Sequence, residues 1–175
     1  NDYDNARIML DLNYPAEYGT DIHEGYFKVI SDQEIEGYAD TRVAGDYILH
    51  YNIKFNKPFK TFNGWKDESV LVQVSLSLVD QQGCKNNYEA ELKPYGWDFD
   101  AVHQAAKQEW NTLLSKIEVE GDEADKKKFY TNLYRAYAKQ TWSDADGRYR
   151  DTLENIQQTQ NKQPMYGGDA FWNTF

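Results

Sequence analysis

One cysteine, Cys84, occurs in the 175 residues. No disulfide can therefore close within the chain, and cysteine usage says nothing about compartment. No run of about 18 apolar residues exists, so no helix is expected to span a membrane. There is no initiator Met and no signal-peptide pattern, so targeting information is expected to be either absent or cut away. Asn-x-Ser/Thr acceptors are missing too, which excludes ordinary N-glycosylation. Cationic residues are scarce: 19 Lys and Arg stand against 29 Asp and Glu, for a net charge of −10. Nucleic acid is a poor partner for such a chain, because a phosphate backbone is gripped by clustered Lys and Arg. The longest basic run, Lys126-Lys127-Lys128, sits among Asp122, Glu123 and Asp125 and reads as a solvated helix face.

What the chain does have is aromatic surface: 15% of residues, with 14 Tyr and 5 Trp. Most such residues fill cores and sheet faces. The functional alternative is carbohydrate binding, in which a sugar's C–H face stacks on a ring while its hydroxyls bond a tyrosine or an acid.

Residues 1 to about 83 read as strands. In "DYILHYNIKF", Tyr47, Leu49, Tyr51, Ile53 and Phe55 face one way and His50, Asn52 and Lys54 the other. In "SVLVQVSLSLV", Val70, Val72, Val74, Leu76 and Leu78 are expected inward, with Gln73, Ser75 and Ser77 outward. One dry and one wet face marks antiparallel strands of a sandwich. "ARIMLDL" and segments near 25–30 and 34–43 are weaker strand candidates, the latter two broken by Gly25 and Gly37. Turn formers separate these segments, among them Asp32, Lys57-Pro58 and Asn63-Gly64.

Near residue 84 the period changes. A short helix is expected over 86–92. A longer one follows with Phe99, Val102, Ala106, Trp110, Leu113 and Ile117 on one stripe and Asp98 as N-cap. Gly121 ends that element and Asp122 caps the next, whose stripe is Phe129, Leu133 and Ala136/Tyr137. "SDADGRYR" is a turn, with Asp146-Gly147 a hairpin signal, and "DTLENIQQTQNKQ" is polar and unassigned. Strands first and helices after imply α+β, or two domains joined by a helical linker.

Few constellations carry chemistry. Asp144-Ala145-Asp146-Gly147 invites a calcium-loop reading but lacks a third acid at the right step, and the twelfth position falls on Asn155 or Leu153. His23, His50 and His103 are not at ligand spacing, and His50 falls on the wet strand face. Glycoside hydrolysis needs two carboxylates flanking the scissile bond, and 29 acids do not reveal which pair faces each other. Trp97-Asp98, and Asp169 with Trp172, have the right chemistry for a sugar site. Each has a plain rival: a hydrophobic anchor at a helix start for Trp97, core packing for the second pair.

The segments "SVLVQVSLSLVDQQGCKNNYEAEL", "GWDFDAVHQAAKQEWNTLLSKIEVEG", "KKKFYTNLYRAYAKQ", "SDADGRYR" and "YGGDAFWNTF", in this order and spacing, resemble glycoside hydrolase family ninety-two, the calcium-dependent inverting exo-α-mannosidases. The resemblance is continuous from about residue 69 and fainter before it. It implies an antiparallel β-sandwich portion over 1–84, a helical linker over 85–118, and over 119–175 the first helices of an (α/α)6 barrel, the catalytic domain, cut short. It further implies α-mannoside glycans as substrate, calcium as cofactor, a secreted, periplasmic or cell-surface setting, and a Glu acid and Asp base beyond Phe175. No catalytic residue is therefore assigned in this chain, and the isolated chain is expected to be inactive. A Trp-Asp-Thr element of the family's mannose subsite corresponds to Trp172-Asn173-Thr174, with an amide in place of the carboxylate and Asp169 three residues earlier. Arg135 stands where relatives often carry His. The rival class is a non-catalytic carbohydrate-binding or structural sandwich module.

Overall fold

The computed structural model describes residue 10 and residues 21–42, 47–59, 70–137 and 141–166. The strand expected in "ARIMLDL" and the Asn63-Gly64 turn lie outside them. Four strands form an antiparallel sheet in sequence order: β1 (Asp21–Ser31), β2 (Glu34–Arg42), β3 (Tyr47–Phe55) and β4 (Val72–Ser77). The β1–β2 turn is Asp32-Gln33, as the turn formers suggest. Gln33 then ties it to β3, accepting from the Phe55 N–H at 2.9 Å and donating Nε2 to the Phe55 carbonyl at 3.2 Å.

Gly37 does not break β2. It is placed where Tyr51 of β3 crosses the strand, and the Tyr51 hydroxyl reaches the Tyr26 carbonyl of β1 at 3.0 Å. A Cβ at Gly37 would collide with that carbonyl and come within 2.5 Å of the Tyr51 hydroxyl oxygen. The glycine is the gap through which one ring fastens two strands. Burial pushes the Tyr51 phenol up to about 12.

The alternation in β3 and β4 holds; β3 buries Tyr51 and Phe55 as the pattern suggests and Asn52 besides, whereas in β4 coverage reverses the pattern. The pairs Tyr51↔Leu76, Ile53↔Val74 and Phe55↔Val72 share one face, and Val72, Val74 and Leu76 stay exposed among the described residues. Asn52, Ser75 and Ser77, the polar positions, are buried instead. The reason is α1 (Gln81–Asn87), which turns back over the polar face directly after β4. Gln81 donates to the Tyr51 carbonyl at 3.0 Å, Lys85 pairs with Glu36 at 3.3 Å, and Lys54 sits 5.0 Å from the Tyr88 ring centre. Buried polar groups are tolerable when they find partners; Asn52 donates to Glu34 at 2.8 Å and Ser77 to Asp144, while Asn52 Oδ1 and Ser75 Oγ have no partner among the described residues.

The short helix begins before the expected 86–92. Asp80 is its N-cap, accepting from the Gly83 N–H at 2.7 Å, and a π-helical turn (Tyr88–Leu92) and a 3-10 turn (Lys93–Tyr95) continue it. The next two helices start where the caps placed them. Asp98 accepts from Ala101 N–H to open α2 (Phe99–Leu114), and Asp122 accepts from Asp125 N–H to open α3 (Glu123–Tyr137). Trp110 and Tyr134 join them, ring centres 4.4 Å apart. The Lys126–Lys128 run is a solvated face, in which Lys126 and Lys128 pair at i,i+3 with Glu123 and Asp125. Past α3, "SDADGRYR" gives a tight turn, with Gly147 at φ +86°. The end of that segment forms β5 (Arg148–Arg150), and the unassigned polar stretch supplies β6 (Ile156–Gln158), which pairs with it in a hairpin.

Candidate functional site

The three residues expected to touch substrate, Asp169, Trp172 and Asn173, lie outside the described residues. What the structure describes is the scaffold leading to them. Thr141 bridges Tyr166 in antiparallel fashion; Trp142 N–H donates to the Met165 carbonyl at 2.6 Å, and Met165 N–H to Ser143 Oγ at 3.0 Å. That bridged pair is fixed in turn by the turn that follows it in sequence.

The Asp144–Gly147 turn seats against the end of β4 and the start of α1. Asp144 is buried; its carboxylate accepts from Ser77 Oγ and from Asn87 Nδ2, both at 2.8 Å. Asn87 bonds on both sides, accepting from Ala145 N–H at 2.7 Å and donating also to the Leu76 carbonyl at 2.7 Å. Asn86 donates to Asp146 at 2.7 Å. Arg148 forms a fork, Nη1 and Nη2 to the two oxygens of Asp80 at 2.7 and 3.2 Å, and Nε to Asp146 at 2.8 Å. Arg150 donates to the Leu78 and Val79 carbonyls at 3.2 and 2.9 Å. Such bidentate, charge-assisted bonds fix orientation as well as add energy.

Gly83 makes the seat possible. A Cβ there would collide with Asp144 Oδ2 and Ser77 Oγ, so the turn approaches the helix as closely as backbone allows. Cys84 beside it is buried, its thiol pushed up to about 12 by burial and by the nearby Asp144 and Asp80 charges. The acids divide by environment. Burial raises Asp144 above its ordinary value despite its two donors. Arg148 holds Asp80 below 3.8. Asp146 also falls below 3.8: burial opposes this, and bonds from Arg148 and Asn86 outweigh it.

This arrangement is a latch: each of the three carboxylates accepts from donors that tie the turn to the end of β4 and to α1. Calcium finds no fit among the described residues, where no group of three or more His, Cys, Asp or Glu converges. Asp98, paired with Trp97 as a possible sugar contact, spends its carboxylate on the α2 cap. Arg135 lies at a cleft on α3 with Lys127, Lys128, Thr131 and Asn132, which offers no acid. His50 is half-buried, not a plain surface residue, and burial lowers its basicity. Sequence reading recognised the DADG turn as a turn but not its partners, because Ser77, Asp80, Asn86 and Asn87 lie over fifty residues away.

Residues 83–175 match the glycosyl hydrolase family 92 catalytic domain. Among solved structures, the chain is similar to a family GH92 alpha-mannosidase from Bacteroides thetaiotaomicron. The TM-score is 0.72 at 20% identity, covering 84% of this chain and 24% of that one. The same enzyme in complex with mannoimidazole gives 0.72 at 20% identity, covering 84% and 23%. A family GH92 inverting mannosidase from Bacteroides thetaiotaomicron VPI-5482 gives 0.62 at 16%, covering 82% and 24%. The likeness is one of fold, and the chain spans about a quarter of the length of these enzymes. Its sheet followed by helices matches their N-terminal sandwich and the start of their helical barrel domain. No curated protein matches the sequence.

Proposed function

The chain belongs to glycosyl hydrolase family 92, and from that premise we propose that it is part of an exo-acting α-mannosidase. The reading assigns it hydrolysis of terminal α-mannosides of N-glycans or mannan with inversion, aided by calcium. The observation that carries the reading is the catalytic-domain match over 83–175 joined to the shared fold with two mannosidases. The domain division follows the resemblance: sandwich to residue 84, linker over 85–118, barrel from 119. A secreted, periplasmic or cell-surface setting belongs to the same reading. Among the described residues no helix is long and apolar enough to cross a membrane.

In an inverting reaction one carboxylic acid protonates the leaving oxygen while a carboxylate on the opposite face activates water. We assign both groups to sequence beyond Phe175. In support, Asp80, Asp144 and Asp146 are engaged in the latch. Asp169, Trp172 and Asn173 are proposed as part of the mannose-binding wall. Trp172 supplies a ring for the sugar's C–H face, and Asn173 supplies a donor and an acceptor without charge.

The test is mannose release from α-mannobioses and an aryl α-mannoside, with calcium and with chelator. It is run on this chain and on a longer polypeptide that contains it, with a melting curve in parallel. A folded but silent chain beside a calcium-dependent longer enzyme is the expected result. Release by this chain alone would overturn the placement of the acid and base, and make Asp144, Asp146 and Asp169 the first acids to replace. A folded longer enzyme inert on every α-mannoside would overturn the activity itself.

A further inference from the structure

On the polar face of the sheet, short of where α1 covers it, three rings from three adjacent strands stand in a row. Tyr26 of β1 is in register with Tyr38 of β2, and Tyr38 with His50 of β3. The two tyrosine rings lie 5.6 Å apart with planes 29° from parallel, and Tyr38 and His50 lie 6.0 Å apart at 56°. These are offset contacts, and Tyr38 and His50 are half-buried. Tyr26 is 45% exposed, on the edge strand of the described sheet.

The row is held firmly from behind. Tyr51, on the opposite face, reaches through the Gly37 gap to the Tyr26 carbonyl. In front, acids flank the rings: the Tyr38 hydroxyl donates to Glu24 at 2.9 Å, and His23 lies 3.5 Å from Asp40. Glu24 and Asp40 face each other across the same strand pair. Cross-strand aromatic pairing alone stabilises a sheet, but that role calls for neither exposed ring faces nor a border of acceptors. An exposed outer ring, Tyr26, bordered by carboxylates disfavours an anion and suits a neutral polyol, whose C–H face packs on the ring while its hydroxyls donate to the acids.

We propose that the Tyr26–Tyr38–His50 row, with Glu24 and Asp40, is a binding surface for a neutral saccharide chain, separate from the wall assigned to Asp169, Trp172 and Asn173. That the saccharide is an α-mannoside rests on the proposed function; the surface itself does not.

The experiment is affinity electrophoresis of this chain through gels containing soluble yeast α-mannan, β-glucan, xylan or galactan. It compares the wild type with Tyr26→Ala, Tyr38→Phe and Glu24→Gln, each checked for an unchanged circular dichroism spectrum. The expected result is retardation by α-mannan that Tyr26→Ala weakens about tenfold. Glu24→Gln should weaken it less, and Tyr38→Phe should keep the ring and lose only the hydroxyl's share. Retardation by another polysaccharide alone, lost in Tyr26→Ala, would support the surface while counting against the mannoside reading. No retardation of the folded wild type in any gel, or equal retardation of wild type and a folded Tyr26→Ala, would overturn the proposal.

Discussion

The two halves of the latch, residues 77–87 and 144–150, bracket the α2–α3 pair in sequence, and latch and pair are held by opposite means. At the latch, Asp144, Ser77 and Cys84 are buried and nearly every contact is a directed hydrogen bond or ion pair. Along α2 and α3 no residue is buried, and the pair is joined by the Trp110–Tyr134 contact and a bond from the Tyr130 hydroxyl to the Ile117 carbonyl. Polar networks specify one geometry because each bond has a direction and an unmade one is costly. An amphipathic stripe specifies only which side is to be covered. The latch is therefore complete within the described chain, whereas the helices present apolar stripes that little else in the described chain covers.

The largest test of that contrast is thiol chemistry. Cys84 is buried with its thiol near 12, so alkylation of the native chain at pH 8 should run about a thousandfold below that of the denatured chain. An Ala106→Cys, Cys84→Ser chain, with its thiol on the exposed side of α2, should alkylate at an ordinary rate. Fast native labelling of Cys84 would mean that the latch opens readily.

Side-chain volume separates the regions next. Gly83→Val drives carbon into Asp144 and Ser77 and should cost about 3 kcal/mol in urea unfolding. Ala106→Val on exposed helix surface should cost roughly 0.5 kcal/mol. Equal losses at the two positions would erase the contrast.

The smallest effect is the most specific. Arg148→Met should cost about 2 kcal/mol near neutral pH, because charged acceptors lose their donor. Asp80 and Asp146 are held below 3.8 in the fold. Their stabilisation is present above the unfolded value and is lost as pH falls through the folded ones. Without Arg148 that acid loss should shrink. Urea midpoints measured from pH 6 down to pH 3 should converge for wild type and variant at the acid end. Curves that stay parallel would separate Arg148 from the carboxylates.

Local signals were legible and lived up to their reading. Asp98 and Asp122 cap helices because a cap needs only the next few residues, and the period-two runs through Tyr51 and Val74 became paired strands. Gly37 misled as a strand breaker, since its tolerance depends on a tyrosine from the neighbouring strand. The Asp80 cap was missed because its helix opens on Gln81-Gln82-Gly83, which carries no apolar stripe. The β5–β6 hairpin was missed because "DTLENIQQ" has no alternation, and its register is set by the latch behind it.

By itself, then, the sequence determined that paired strands precede the helices, the Asp98 and Asp122 caps, and the family. Each is written in neighbouring residues or in a linear series of motifs. Only the tertiary structure decided which sheet face is covered, that Asp144 is a buried strut and not a loop ligand, and that Tyr26, Tyr38 and His50 share a row. Those facts rest on contacts between residues far apart in the chain, and they are fixed only once packing has set the distances between them.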